Sequence, residues 1–272
     1  MGGSLALALK GKCAALLGID SNSAVLELAR KHQIADDLSD DPANILPQAD
    51  MIVLAAPVIT IIELLGNLPQ WHPGKAIVID LGSTKVKVTE AMEKLPERFE
   101  PVGGHPMCGK EKSSLANAEA LLFQNATFAF TPLLHTTPRA RLAADQLAKT
   151  VGAHPLWLDP ATHDRWVAAT SHLPYLIANA LALSTPLESA PMAGPGFRST
   201  SRLAQSPSSM MMDVLSTNRE NILDAIQRFK KQIDIFEGLL VSGENVRLQT
   251  LLDQSAGHQK EIVEFIEQGG LR

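Results

Sequence analysis

Four short stretches carry side chains suited to chemistry on a small polar substrate. The densest is GGHPMCGKEKS, residues 103–113, in which His105 follows two glycines and precedes a proline. Paired glycines let a backbone approach a ligand closely, and the proline stiffens the turn. An imidazole with an ordinary pKa near 6.5 is a natural general base at neutral pH. His105 is therefore read as a loop histidine at a strand end, poised to take a proton. The plainer reading, a surface loop histidine, fits poorly with so specialised a backbone. Cys108 in the same stretch reads as a small filler, because nothing beside it in the sequence would activate a thiol. DLGSTK, residues 80–85, places Ser83 just after a strand end, where open α/β sheets face their ligands. Ser83 either donates to a substrate or base there, or simply caps a helix. SHLPYL, residues 171–176, puts His172 inside a helix, where a lone histidine is more often packed core. GFRSTSRLA, residues 196–204, spaces Arg198 and Arg202 four apart, on one face if helical. Guanidinium groups suit bidentate binding of a carboxylate; two solvated arginines are the alternative.

The first twenty residues carry a different kind of signal. Gly2 and Gly3 open an apolar helical stretch, and a short apolar run then ends in Gly18-Ile19-Asp20. That order is the second half of a dinucleotide-binding unit: glycine-rich turn, helix, strand, ribose-reading acid. A carboxylate at Asp20 would accept both ribose hydroxyls of NAD and repel the 2′-phosphate of NADP. An acid favoured by a helix dipole is the bland alternative.

The elements that must position these groups alternate. Strands are expected at 14–20, 49–55, 75–80, 101–104, 127–131 and 155–158, and helices at 24–32, 59–65, 86–95 and 139–149. Strands alternating with helices indicate a mainly parallel sheet covered on both faces, a nucleotide-type α/β domain. After Asp159-Pro160 the character changes. Residues 162–184 form one long helical pattern that Pro174 is expected to kink, a Pro/Gly-rich loop follows, and three further helical stretches run from Ser201 onward. A dinucleotide-binding domain over 1–159 and an all-helical domain over 160–272 are the expected division.

The bulk numbers exclude several classes. A formal net charge of −5 argues against a nucleic-acid surface. The two cysteines, Cys13 and Cys108, lie far apart with no CxxC, so neither a disulfide framework nor a zinc site is indicated. Pro57 and Glu63 interrupt the apolar run from Met51, well short of the roughly 20 residues a membrane span needs. No secretory signal is read at the start, and a cytoplasmic setting is expected.

Taken together and in order, these stretches resemble the prephenate/arogenate dehydrogenase family. The resemblance runs through Gly-Gly-Ser, Gly-Ile-Asp, DLGSTK, the His105 stretch, His163-Asp164, SHLP, GFR…RLA and Asn218-Arg219-Glu220. It implies a Rossmann-like domain followed by a helical dimerisation domain, hence a homodimer. The implied reaction is an oxidative decarboxylation: hydride leaves C4 of a cyclohexadienol for NAD, carbon dioxide leaves the ring, and the product is aromatic. On the same basis His105 takes the C4 hydroxyl proton, Ser83 hydrogen-bonds in that cluster and Arg202 holds a substrate carboxylate. Glu111, Ser171, His172 and Tyr175 line or gate the pocket, and Gly2, Gly3, Asp20, Ala56 and Pro57 face the cofactor. Two other readings are a non-catalytic relic that binds metabolites of the same pathway and a 3-hydroxy-acid dehydrogenase. The latter would want a lysine-bearing motif in the helical domain, which SHLPYL is not.

The chain departs from the family pattern at four places. Tyr175 stands where a second histidine is common, Ser199 where an acid is common and Met211 where a tryptophan is common. An acid would suit the ammonium group of arogenate, so Ser199 leans the expected substrate toward prephenate. The family turn reads Gly-x-Gly-Leu-Met-Gly-Gly-Ser, which sets Met1 at its internal methionine. The preceding strand and first two glycines are then missing, and Gly2 becomes the glycine that packs helix against strand. The chain as written is accordingly expected to bind NAD poorly and to carry exposed sheet edges.

Overall fold

The computed structural model describes residues 1–109 and 114–267. In chain order the elements are α1 (Gly2–Leu9), β1 (Leu17–Ile19), α2 (Ser23–Lys31), β2 (Asp37–Ser39), α3 (Pro42–Ile45), β3 (Met51–Leu54), α4 (Val58–Trp71), β4 (Ala76–Asp80), α5 (Val86–Met92), β5 (Phe99–Pro106), β6 (Thr127–Thr131), α6 (Pro138–Thr150), β7 (His154–Trp157), α7 (Pro160–Val167), α8 (Leu173–Ser184), α9 (Pro195–Ser201), α10 (Ser208–Thr217), α11 (Arg219–Ser242) and α12 (Asn245–Glu267). The chain divides into two compact units, residues 1–218 and 219–272.

The first unit is built on a five-stranded sheet of order β3-β4-β5-β6-β7. All its ladders are parallel except β5 with β6, which is antiparallel. β4 is central to the parallel part, and its five residues, AIVID, are all buried. Alternation sends Ile77 and Ile79 to one face, against Leu5 and Ala8 of α1 and Ala140, Ala144 and Leu147 of α6. Ala76 and Val78 point the other way, onto Ile61, Leu65 and Leu68 of α4 and Val88 and Met92 of α5. Continuous apolar runs such as AIVI are what a strand covered on both faces requires. β1 and β2 pair in parallel as a separate two-stranded sheet. No ladder joins β1 to β3, so each has one edge without a sheet partner among the described residues.

The helix starts follow local chemistry. The Asn22 side chain accepts from Ala24 N at the head of α2, and Thr137 from Ala140 N at the head of α6. Asp159 caps α7 by accepting from Thr162 N at 2.8 Å, with Pro160 in the first helical position.

Three expectations need adjustment. β5 continues through His105 to Pro106, because residues 103–106 pair with β6; His105 is thus a strand residue, not a loop one. The pattern over 162–184 is α7, one π-helical turn at Ala168–His172, then α8. Pro174 lacks the N–H a regular α-helix would use at that point, and a widened turn absorbs the break. β2 and α3 were not anticipated, being only three and four residues long.

The second unit consists of α11 and α12, which pack on one another across a turn where Gly243 takes φ 71°. Only glycine adopts that backbone at no steric cost, so the reversal sits where the sequence offers one. Among the described residues no helix is long and apolar enough to cross a membrane.

Candidate active site

Two neighbouring parallel strands, β4 and β5, end close together, and an ion pair locks them. Asp80, the last residue of β4, accepts Gly104 N on Oδ1 at 3.0 Å and Gly82 N on Oδ2 at 2.7 Å. Lys85 pairs with Oδ2 of Asp80 and also donates from Nζ to the Gly104 carbonyl at 2.6 Å. Both side chains are 0% exposed. Burial pulls the Lys85 ammonium below its ordinary value, opposed by the Asp80 and Asp164 carboxylates. The pair therefore grips the strand one residue before His105. It can do so because residue 104 is glycine: a Cβ there would lie 2.5 Å from the Asp80 carbonyl oxygen. At residue 103 a Cβ would meet Thr131 Oγ1 at 2.1 Å.

Behind His105 runs a chain of three side chains. His105 Nδ1 lies 2.9 Å from His163 Nε2, and His163 Nδ1 lies 2.8 Å from Asp164 Oδ1. The two imidazole rings meet edge-on, with centroids 5.1 Å apart. His163 and Asp164 are almost wholly buried on α7, which packs on α5 and β6. Asp164 also accepts the backbone N–H groups of Lys85 at 2.6 Å and Val86 at 2.9 Å, at the start of α5. Burial, reinforced by His163, Lys85 and His172, holds His105 well below its ordinary imidazole value. Burial likewise holds His163 low, against the pull of Asp164. At neutral pH His105 is a neutral ring with a lone pair to offer.

The remaining expected residues are distributed as follows. His172 lies in the π-turn and is 2% exposed; its Nδ1 accepts from Asn218 Nδ2 at 3.2 Å, and Asn218 also donates to the Asp164 carbonyl at 2.7 Å. Burial lowers its pKa to about 4. Tyr175 is half-buried one turn on in α8, while Ser171 is exposed. Ser83 is half-buried after β4, and among the described residues its hydroxyl makes no hydrogen bond, to His105 or otherwise. Its neighbour Thr84 is the bonded one, to Thr217 Oγ1 at 2.8 Å. Arg198 lies in the middle of α9 and Arg202 is the residue that caps it, where the chain tightens directly into a 3-10 turn; both are exposed. Glu111 lies outside the described residues. Burial pushes the Cys108 thiol up to about 11, which suits a filler and not a nucleophile.

At the same end of the sheet, on the neighbouring strand, Gly2 packs helix α1 so tightly on the end of β3 that a Cβ would sit 3.0 Å from Ala55 Cβ. A Cβ on Gly3 would collide with Leu115 at 2.2 Å. Ala56 and Pro57 follow β3 and lead into α4. Asp20 follows β1, half-buried, with Oδ1 accepting Asn22 N at 2.9 Å. Oδ2 takes no donor among the described residues, so the carboxylate keeps an acceptor for a ribose hydroxyl.

Sequence reasoning singled out His105 but missed what holds it. Asp80, Lys85, His163, Asp164 and Asn218 form the buried polar frame, though all five stand within the motifs named above. The signal was present in DLGSTK: an acid ending a wholly apolar strand and a lysine five residues on have little reason to be buried unless paired.

The family model described as "Prephenate dehydrogenase, nucleotide-binding domain" matches residues 5–156, and "Prephenate dehydrogenase, dimerization domain" matches residues 159–254. The chain is 35% identical over 249 residues to the prephenate dehydrogenase of Bacillus subtilis, across 86% of this chain and 66% of that protein. It thus spans about two thirds of that relative's length. It also resembles the crystal structure of Aquifex aeolicus prephenate dehydrogenase in complex with hydroxyphenyl propionate and NAD+, with TM-score 0.89, 30% identity, and 96% and 94% of the two chains covered. Synechocystis arogenate dehydrogenase superposes with TM-score 0.83 at 27% identity, covering 96% of each chain.

Proposed function

Because the chain belongs to the prephenate/arogenate dehydrogenase family, we propose that it oxidatively decarboxylates prephenate to 4-hydroxyphenylpyruvate, or arogenate to tyrosine, with NAD as the hydride acceptor. The observation that carries this reading is His105: a neutral imidazole at the end of β5, backed by buried His163 and Asp164. NAD, when bound, supplies the electron sink. The chain's own groups have only to orient the ring and remove one proton, since aromatisation drives the loss of carbon dioxide. His105 takes the proton from the C4 hydroxyl. Arg202, exposed at the head of its turn, holds a substrate carboxylate, and Tyr175 and the Ser171-His172 turn border the ring. Ser83 joins them by donating to the substrate. Asp20 holds the cofactor's ribose, with Gly2, Gly3, Ala56 and Pro57 beside it. Ser199, uncharged where a partner for an ammonium would help, favours prephenate over arogenate.

The division between cofactor and substrate domains near residue 160 is supported by the interval between the two family models. A homodimer formed through the helical part is supported by the second of these and by the exposed Ile233, Leu240, Val241, Leu252 and Phe265 of α11 and α12. A reducing, cytoplasmic setting suits the two free thiols, Cys13 and Cys108.

The test is NADH formation with prephenate and with arogenate. His105→Asn should leave KM nearly unchanged and lower kcat by about 10²-fold or more, because asparagine hydrogen-bonds but cannot accept the proton. Wild-type turnover in that variant would remove His105 from the role, and no NADH from either substrate would favour a non-catalytic binder.

A further inference from the structure

The geometry of His163 and Asp164 decides which nitrogen of His105 can act. Three N–H groups converge on the Asp164 carboxylate: Lys85 N at 2.6 Å, Val86 N at 2.9 Å and the His163 Nδ1 side at 2.8 Å. A carboxylate only accepts, so the single ring proton of neutral His163 resides on Nδ1 and its Nε2 carries the lone pair. That lone pair faces His105 Nδ1 at 2.9 Å. Two lone pairs cannot be hydrogen-bonded to each other, so the proton between them belongs to His105 Nδ1. The only lone pair left on His105 is at Nε2.

We propose that Asp164, acting through His163, is the positioning group that fixes His105 in the Nδ1–H tautomer and so turns its Nε2 into the proton acceptor. This rests on the reading of His105 as the base. In the step itself the substrate O–H bond breaks and the Nε2–H bond forms. The resulting imidazolium already directs its Nδ1–H at His163, with a carboxylate one ring further on. Asp164 is well suited to the task because it cannot turn: its oxygens are pinned by the first backbone N–H groups of α5, and it is 1% exposed. Two further groups face the array, the Lys85–Asp80 pair on the strand side and His172 on the π-turn. Asn218 donates to His172 Nδ1, which gives that ring the opposite tautomer and makes its Nε2 an N–H donor. The two histidines thus have complementary roles, one accepting and one donating.

Nitrogen-15 NMR of histidine-labelled protein reads the tautomers directly. The expected result near neutral pH is neutral His105 and His163, both protonated at Nδ1; protonation of His105 at Nε2 would overturn the proposal. Asp164→Ala frees His163 to reverse, so His105 should lose its single tautomer, and kcat should fall by about 10²-fold with little change in KM. Retention of the wild-type tautomer and kcat in that variant would overturn it as well. Should Asp164→Ala not fold, His163 gives an independent comparison. His163→Gln keeps an acceptor for the His105 Nδ1 proton and should retain at least tenfold more activity than His163→Leu, which has none. Equal losses in the two would sink the idea. The NMR result is independent of turnover, so failure of the positioning role and failure of His105 as base are told apart by His105→Asn.

Discussion

Lys85 is buried where no solvent reaches it, and its ammonium donates to two acceptors, the Asp80 carboxylate and the Gly104 carbonyl. Taking two charges out of water costs several kcal/mol each, and a close, fully hydrogen-bonded pair recovers most of that. Removing one partner leaves the other stranded. Lys85→Met should therefore destabilise the protein by about 3–5 kcal/mol in urea denaturation. Asp80→Asn added to Lys85→Met should recover a good part of that loss, since the amide oxygen can still accept from Gly82 N or Gly104 N without a buried charge. A double variant no more stable than Lys85→Met would mean that the charge of Asp80 is not what the lysine offsets.

At the scale of elements, the β5–β6 ladder sets where His105 stands. Gly103 pairs with Thr131 and His105 with Ala129, so any push on the first pair is felt two residues on. Thr131 Oγ1 is buried with no hydrogen-bond partner among the described residues, and it is the atom a Cβ at position 103 would strike. Gly103→Ala should thus cost about 1–3 kcal/mol by overpacking and lower kcat through displacement of His105. Thr131→Ala removes both the clash and an unsatisfied hydroxyl. It should be close to neutral alone and should rescue Gly103→Ala, as judged by urea midpoints and turnover together. Additive losses in the double variant would place the strain elsewhere.

For the molecule as a whole, three imidazoles, His105, His163 and His172, are held below their ordinary value of 6.5 chiefly by burial. The unfolded chain takes up these protons near pH 6.5 while the folded chain does not, so stability rises with pH through this window. It is complete above pH 6.5 and is lost as pH falls toward the folded values, about 4 for His172. That one residue corresponds to roughly 3 kcal/mol over the interval. His172→Gln should consequently lose less stability than the wild type between neutral pH and about pH 4.5 in denaturant titrations. Identical pH dependence of the two proteins would show that burial of His172 does not govern acid unfolding.

The sequence by itself determined the alternation of strands and helices, the buried β4 and the candidacy of His105. Those follow from local pattern: apolar runs, capping residues such as Asn22 and Asp159, and a glycine pair that only a close backbone approach explains. It also marked Cys108 as inert, which the thiol's burial supports. Tertiary structure decided what the pattern could not carry. β5 runs on through His105 because β6, more than twenty residues later, supplies an antiparallel partner. Hydrogen bonding across 58 residues brings His163 to His105, and across 79 residues brings Asp164 to the head of α5. After the end of β4, Thr84 meets Thr217 and Lys85 meets Asp80, partners 133 and five residues away, and it is the packing of α10 and the turn after β4 that brings them together. Periodicity tells which face a residue occupies; which distant donor meets it there depends on how the elements pack, and packing joins residues that no local window contains.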